Sequence, residues 1–243
     1  MINEEDHLRE QCIIKGLRLK SAYDKLSKID SKIGRSIKVA YDEQLGYLTA
    51  CPTNLGTGLR ASVMLFLPAL TINGNMREVV RSISRLGLTV RGVYGEGSDA
   101  EGYMYQVSNE VTLGVSEDEI ISQVDEVARK ICALENADRE KLKSGSVKLS
   151  VKDKCLRAYG VATNCASLAS GELASLAADI KLGACLGYIP VDDVTEIDDL
   201  VVRMQPYNIN KAAGRALSAN ERDTYRAEYV SEHLRRLAKD GKH

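Results

Sequence analysis

Three short runs of the sequence gather the residue types that handle phosphate and guanidinium groups. The first is Asn3-Glu4-Glu5-Asp6-His7-Leu8-Arg9, the second Cys51-Pro52-Thr53-Asn54-Leu55-Gly56-Thr57-Gly58-Leu59-Arg60, and the third Arg91-Gly92-Val93-Tyr94-Gly95-Glu96-Gly97-Ser98. Each combines an arginine with a carboxylate or a thiol. Taken singly, an acidic run reads as solvated surface and a glycine-rich loop as a turn; the combination is what carries the signal. A guanidinium is a planar fork of donors that pairs bidentately with phosphate or carboxylate. The chemistry therefore works in two directions, with arginines clamping nucleotide phosphates and carboxylates holding a guanidinium substrate. The sequence contains neither a G-x-x-x-x-G-K-[ST] loop nor a G-x-G-x-x-G run after a strand, so a bound nucleotide must be held by arginines.

These runs need elements to position them. Between Ile37 and Ser108 the pattern favours strands at 37–41, 47–51, 61–67, 88–93 and 103–107, separated by turn residues. Met76, Val79, Val80, Ile83 and Leu86 fall at helical spacing, with Gly87 as a stop. Ser116-Glu117-Asp118-Glu119 is a capping box ahead of the helical positions Ile120, Ile121, Val124, Val127, Ile131 and Leu134. The polar tract 136–152 suggests a domain boundary near 138–150. Beyond it, 172–182, 192–204 and 218–239 read as helices, with Gly183 and Pro206 as stops. The expected architecture is α+β, an antiparallel sheet flanked by helices over 1–140, then an all-helical domain over 141–243. No internal repeat or low-complexity tract is evident.

Composition narrows the function classes. The 243 residues carry 33 Lys+Arg against 34 Asp+Glu, a net charge of −1, which excludes the blanket positive field of a general nucleic-acid binder. The longest uncharged stretch, Ala61 to Met76, is too short and too polar to span a bilayer. The N-terminal residues have neither the basic nor the apolar region of a secretory signal, so a cytoplasmic protein without membrane or direct nucleic-acid contacts is expected. The six cysteines, at 12, 51, 132, 155, 165 and 185, form no C-x-x-C pair and have no histidine spaced for zinc. No metal cluster is expected, and all but Cys51 read as buried small apolar residues in a reducing compartment.

The three runs resemble the signature of the phosphagen (guanidino) kinase family, which includes creatine and arginine kinases. Asn3–Arg9 resembles the family's N-E-E-D-H-x-R run, and Cys51–Gly58 its C-P-[ST]-N-x-G-T-G loop. Arg60-Ala61-Ser62-Val63-Met64, with methionine where metabolite kinases typically have histidine, resembles the bacterial protein-arginine kinases, as do Arg91–Ser98, Gln106-Val107-Ser108-Asn109 and Thr112-Leu113-Gly114. Arg222-Asp223-Thr224-Tyr225-Arg226-Ala227 is similar to the R-D-x-x-R-A motif with which these kinases recognise phosphoarginine. Arg222 and Arg226 lie four apart on one helical face, so both could grip one phosphoryl group while Asp223 meets the guanidinium. The alternative is a solvated amphipathic helix with an internal Arg–Asp pair.

The resemblance implies roles. Arg9, Arg60 and Arg91 would neutralise the phosphates of ATP, along a nucleotide site that includes Ala61, Ser62, Val63, Met64, Gly92, Val93, Tyr94 and Gly95. Glu5 and Glu96 would hold the acceptor guanidinium, with Glu5 taking its proton, and Cys51 would align it electrostatically. Glu4 would support Mg²⁺ through water, with no protein metal ligand implied. Arg222, Asp223, Arg226 and Ala227 would bind phosphoarginine. The implied activity is ATP-dependent phosphorylation of arginine side chains in proteins, marking them for regulated degradation. Implied partners are an activator protein, arginine-bearing substrates such as a winged-helix stress repressor, an AAA+ unfoldase–protease, and a second copy in a homodimer. The chain starts inside the family's catalytic domain, without the S-x-R-x-R strand that supplies two further phosphate-binding arginines in relatives. A truncated or split gene product is therefore one expectation, and a catalytically silent phosphoarginine-binding module is an alternative function. A kinase of a small guanidino metabolite is a further alternative, opposed by Met64 and the C-terminal helical extension.

Overall fold

Leu19, Tyr23, Leu26, Ile29 and Ile33 recur at helical spacing, and in the computed structural model they lie on helix α1 (Leu19–Ser36). The structure describes residue 2, residues 5–92 and residues 101–240. Helix α1 is not among the elements expected above, and none of its residues is buried. The strands expected at 37–41 and 47–51 reduce to a two-residue ladder, β1 (Tyr41–Asp42) against β2 (Gly46–Tyr47). Asp42 turns the chain between them by accepting the amides of Gln44 and Leu45 at 2.8 and 3.0 Å. Apart from Gly46, Tyr47, Thr49 and Cys51, which are half-buried, this stretch is exposed, Leu48 included, so no apolar face draws it into a longer strand.

The other strands form one antiparallel sheet in the order β3-β5-β4: β3 (Ser62–Phe66), β4 (Leu88–Gly92) and β5 (Met104–Asn109). The alternation of β-strand side chains gives the sheet two unlike faces. Leu65, Leu88, Tyr105 and Val107 are buried on one, each such side chain contributing about 1.5–3 kcal/mol when fully buried. Ser62, Met64, Thr89, Arg91, Gln106 and Ser108 share the other, because Ser62 and Thr89 flank Ser108 while Met64 and Arg91 flank Gln106. A short α2 (Pro68–Ile72) follows β3, and α3 (Met76–Ser84) packs beside β4. Gly87, at φ +70°, makes the turn between α3 and β4.

Helix α4 (Glu117–Leu142) starts at the expected capping box: Glu119 accepts the Ser116 amide at 2.8 Å, and Ser116 Oγ accepts the Glu119 amide at 3.3 Å. The polar tract 136–152 is largely helical, because α4 continues to Leu142 and α5 (Lys148–Asn164) begins shortly after. Then follow α6 (Ser170–Cys185), α7 (Thr195–Arg203), α8 (Pro206–Ala213) and α9 (Ala219–Asp240). The architecture is α+β, a helix-flanked antiparallel sheet followed by helices alone.

The chain divides into two units, one comprising Met1–Leu67, Thr71–Ser98 and Met104–Glu135, the other Pro68–Leu70, Asp99–Tyr103 and Asn136–His243. In the second unit α5 packs on α6 and α9, α6 on α7, and α8 on α9, around Leu168, Leu173, Ile180, Leu182, Ile197, Leu200, Ile209 and Leu234. Gly183 is not a helix stop. It lies inside α6, where a Cβ would stand 2.9 Å from Cys155 Cβ and 2.6 Å from Ile189 Cδ1, so its bareness lets α5 approach; Gly187, at φ +76°, follows the helix end. Pro206 opens α8 at a first-turn position, where a missing N–H costs nothing. Among the other five cysteines only Cys155 is buried; Cys12, Cys132, Cys165 and Cys185 are half-buried, because their positions fall on partly exposed faces.

Candidate active site

The first two signature runs are fastened to each other by Asp6. Ile2 and Leu8 form an antiparallel bridge. Between them in sequence, Asp6 accepts the Ala50 amide on Oδ1 at 2.7 Å and the Asn54 side-chain amide on Oδ2 at 2.8 Å. These bonds, then the backbone at Cys51 and the charge of Arg9, hold the Asp6 carboxyl below its ordinary pKa, outweighing the opposing effect of burial. Glu5 precedes Asp6 and Cys51 follows Ala50, so the Asp6–Ala50 bond brings the backbone at exposed Glu5 near the backbone at half-buried Cys51. The Cys51 sulfur lies 3.0 Å from Thr53 Oγ1, within the short 3₁₀ turn Pro52–Asn54.

The glycine-containing loop is held by two polar residues, Asn109 at the end of β5 and Thr112 just after it. Thr112 Oγ1 donates toward the carbonyls of Thr53 and Leu55, at 3.0 and 2.8 Å. The Thr112 carbonyl in turn accepts the Thr57 amide at 3.0 Å. Gly56, at φ +108°, has room for no side chain, since a Cβ would stand 2.2 Å from that same carbonyl oxygen. Asn109, 5% exposed, accepts the Ala61 amide at 2.8 Å and donates to the carbonyls of Leu59 and Val111 at 2.9 and 3.1 Å. The loop thus enters β3 in one conformation, with Arg60 Nη2 donating to Ser108 Oγ at 3.2 Å. Asp6, Asn109 and Thr112 carry no role in the sequence reading, although all three lie in segments that carry the resemblance, which was the available signal.

Arg60 and Arg91 therefore stand over one polar sheet face, Arg60 on Ser108 and Arg91 in the row of Gln106 and Met64. Met64 is 47% exposed there. Ser62 shares that face, whereas Ala61 and Val63 alternate to the other side. Arg9 is exposed and acts electrostatically on Asp6. Gly92 ends β4. Glu4, Val93, Tyr94, Gly95 and Glu96 lie outside the described residues.

In the helical unit, Arg226 turns into the interior. It is 1% exposed, and its Nε donates to Met204 O at 3.0 Å while Nη1 donates to Leu168 O at 2.6 Å and Asp223 Oδ1 at 2.5 Å. A buried guanidinium needs such partners. It ties α9 to the end of α7 and to the segment before α6, a connection reinforced by the Leu168 amide on Asp223 O at 3.1 Å. Half-buried Arg222 donates to Leu217 O at 2.5 Å. Ala227 is buried beside Arg226 in sequence. The expected Arg–Asp pair is present, but as an interior clasp that orients Asp223.

Comparison with known proteins fits this geometry. Residues 1–138 match the model of the ATP:guanido phosphotransferase C-terminal catalytic domain, and residues 148–243 that of the protein-arginine kinase McsB C-terminal domain. The protein-arginine kinase of Caldanaerobacter subterraneus is 47% identical, with 96% of this chain and 69% of the relative covered. That of Symbiobacterium thermophilum is 44% identical, with 96% and 66% covered. The chain thus spans about two thirds of the length of these relatives. Among solved structures, the duplicated taurocyamine kinase of Schistosoma mansoni with bound transition-state analogue components is similar at 28% identity and a TM-score of 0.52, over 71% of this chain and 24% of that one.

Proposed function

We propose that this chain, which belongs to the ATP:guanido phosphotransferase family and to its protein-arginine kinases, transfers the γ-phosphoryl group of ATP to arginine side chains of proteins. The observation that carries the reading is the Asp6 fastening, which sets Glu5 beside the Cys51 loop while Asn109 and Ser108 fix Arg60 over the sheet face that also bears Arg91.

Phosphoryl transfer asks for positioning and charge stabilisation more than for covalent help. A face with two arginines and the hydroxyls of Ser62 and Thr89 suits a polyphosphate. Arg9, Arg60 and Arg91 oppose its charge, and the segments 60–64 and 91–95 line the nucleotide. Glu5 and Glu96 grip the acceptor guanidinium in line with the γ-phosphorus. As the guanidinium nitrogen bonds to phosphorus, the bond to the ADP oxygen breaks and Glu5 takes the proton lost from that nitrogen. Cys51 faces the guanidinium and aligns it without forming a bond to phosphorus. Both Asp6 oxygens are already committed to protein donors, and no cluster of three His, Cys, Asp or Glu suited to a metal occurs among the described residues. Mg²⁺ would arrive with ATP, with Glu4 supporting it through water, and would supply charge neutralisation there.

In the helical unit, Arg222 and Asp223 meet a phosphoarginine side chain, with Arg226 and Ala227 fixing the helix beneath them. The wider reading is cytoplasmic protein quality control. Phosphoarginine marks stress-labile proteins, among them a winged-helix repressor, for an AAA+ unfoldase–protease, with an activator protein and a homodimeric kinase. Among the described residues no helix is long and apolar enough to cross a membrane. The test offers Mg-ATP with either an unfolded arginine-rich protein or free arginine, and reads phosphoarginine by mass spectrometry. Product on the protein supports the reading; product on free arginine alone supports a metabolite kinase. Phosphoarginine binding without transfer supports a silent binding module.

A further inference from the structure

The Cys51 loop is closed at its neck. The chain leaves β2 at Tyr47 and returns to it at Gly56, where the Tyr47 amide donates to Gly56 O at 2.8 Å and the Gly56 amide to Tyr47 O at 3.3 Å. Backbone meets backbone there, since a Cβ on Gly46 would stand 2.5 Å from Gly56 O. Beyond Tyr47, the Thr49 hydroxyl donates to Cys51 O at 2.7 Å. Cys51 and the turn Pro52–Asn54 thus lie between the two sides of one neck.

The side chain of Tyr47 joins that neck to α1. Its hydroxyl donates to Asp30 Oδ2 at 3.3 Å, and its ring meets that of Tyr41 edge-on, with centroids 5.4 Å apart and planes at 78°. Burial, then the Asp30 charge, pushes the Tyr47 pKa up, so the phenol stays a donor at neutral pH. Helix α1 buries none of its residues, so core packing does not explain where it lies. It is fastened instead by polar bonds, from Lys20 to Asp118 at the start of α4 at 2.6 Å and from Asp30 to Tyr47. The phosphotransferase chemistry gives Tyr47 and Asp30 no task of their own, yet their place at the neck does.

We propose that Tyr47 and Asp30 are positioning residues for phosphoryl transfer: α1, through Tyr47, holds the neck of the loop that presents Cys51 to the acceptor guanidinium. The catalytic half of this statement rests on the kinase reading; the structural half does not. Tyr47→Phe keeps the ring and the backbone pairing and removes only the hydroxyl, and Asp30→Ala removes an exposed side chain, so both variants are expected to fold. One hydrogen bond of this kind biases the loop by about two- to tenfold. The expected result is a kcat lower by that factor in each variant with ATP affinity unchanged, and no further loss in the double variant, because both changes break the same bond. Asp30→Asn keeps an acceptor oxygen and should recover the rate that Asp30→Ala loses. Independently of activity, hydrogen exchange of the Gly56 amide should accelerate by the same factor in Tyr47→Phe and Asp30→Ala, while the Ala61 amide, held by Asn109, keeps its rate. An active wild type whose kcat is unchanged in Tyr47→Phe and Asp30→Ala overturns the proposal, as do losses that add in the double variant or unchanged exchange at Gly56. A wild type without transfer overturns the kinase reading, and the exchange measurement then still decides whether α1 holds the neck.

Discussion

Asn109→Ala is the perturbation whose cost follows most directly from the structure. Asn109 uses both ends of its amide, accepting the Ala61 N–H and donating to Leu59 O and Val111 O, at 5% exposure. Alanine removes all three bonds and leaves one backbone donor and two carbonyls without them. At about 1 kcal/mol net per bond the loss is about 3 kcal/mol, and somewhat more where the stranded groups stay dry. The sequence contains no tryptophan, so urea unfolding is best followed by far-UV circular dichroism, with hydrogen exchange reading the Ala61 amide directly. A loss of about 3 kcal/mol corresponds to roughly a hundredfold faster exchange at that amide. Because Ala61 follows Arg60, transferase activity should fall as well. A stability change below about 1 kcal/mol together with an unchanged Ala61 amide would refute the argument that Asn109 holds the loop.

Two helix glycines should respond with opposite signs. Gly183→Ala forces a Cβ against Ile189 and Cys155 and should cost about 1–3 kcal/mol, whereas Gly160→Ala on α5 meets nothing within 4 Å and should gain roughly 0.5–1 kcal/mol; urea midpoints decide both. Burial, then the nearby Asp179 charge, pushes the Cys155 thiol up to about 12, so in a timed disulfide-exchange assay at neutral pH it should react last of the six cysteines, after half-buried Cys51. Glu221 is lowered to about 2 by the Ser218 amide, Arg215 and the Ser218 hydroxyl. A depressed carboxylate stabilises the fold above its ordinary value and loses that effect as pH falls. Unfolding midpoints of the wild type should therefore drop between pH 4.5 and about 2 more steeply than those of Glu221→Gln, and parallel curves would refute the contribution of this cap.

The sheet was legible because β3, β4 and β5 alternate against one buried face, and α4 because Ser116 and Glu119 announce its start. A second capping box, Ser218 with Glu221 at 2.8 and 3.3 Å, opens α9 at the position the spacing predicts. Helix α1 was harder to place, since its apolar stripe buries nothing, and α5 was obscured by the polar residues around its start. Gly183 misled because a glycine that admits a neighbouring helix has the same letter as one that ends a helix. At the candidate site, residue types pointed to Glu5, Cys51, Arg60 and Arg91 as candidates. The bonds that assemble them were invisible, because Asp6 reaches Ala50 across 44 positions and Thr112 reaches Thr53 across 59. Spacing puts Arg226 on α9 four residues from Arg222, but its turn into the interior depends on Leu168 and Met204, which spacing on α9 does not reveal.

The most direct test of the central claim is a rapid-quench measurement of γ-phosphoryl transfer from saturating Mg-ATP to an arginine-rich protein, comparing wild type with Glu5→Gln and measuring nucleotide affinity in both. The account predicts acid-labile phosphoarginine from the wild type, and a kcat lower by about 10²–10⁴ in Glu5→Gln with nucleotide affinity unchanged, as removal of a general base requires. Absence of phosphoarginine from folded, nucleotide-binding wild type, or equal rates in the two proteins, would contradict it.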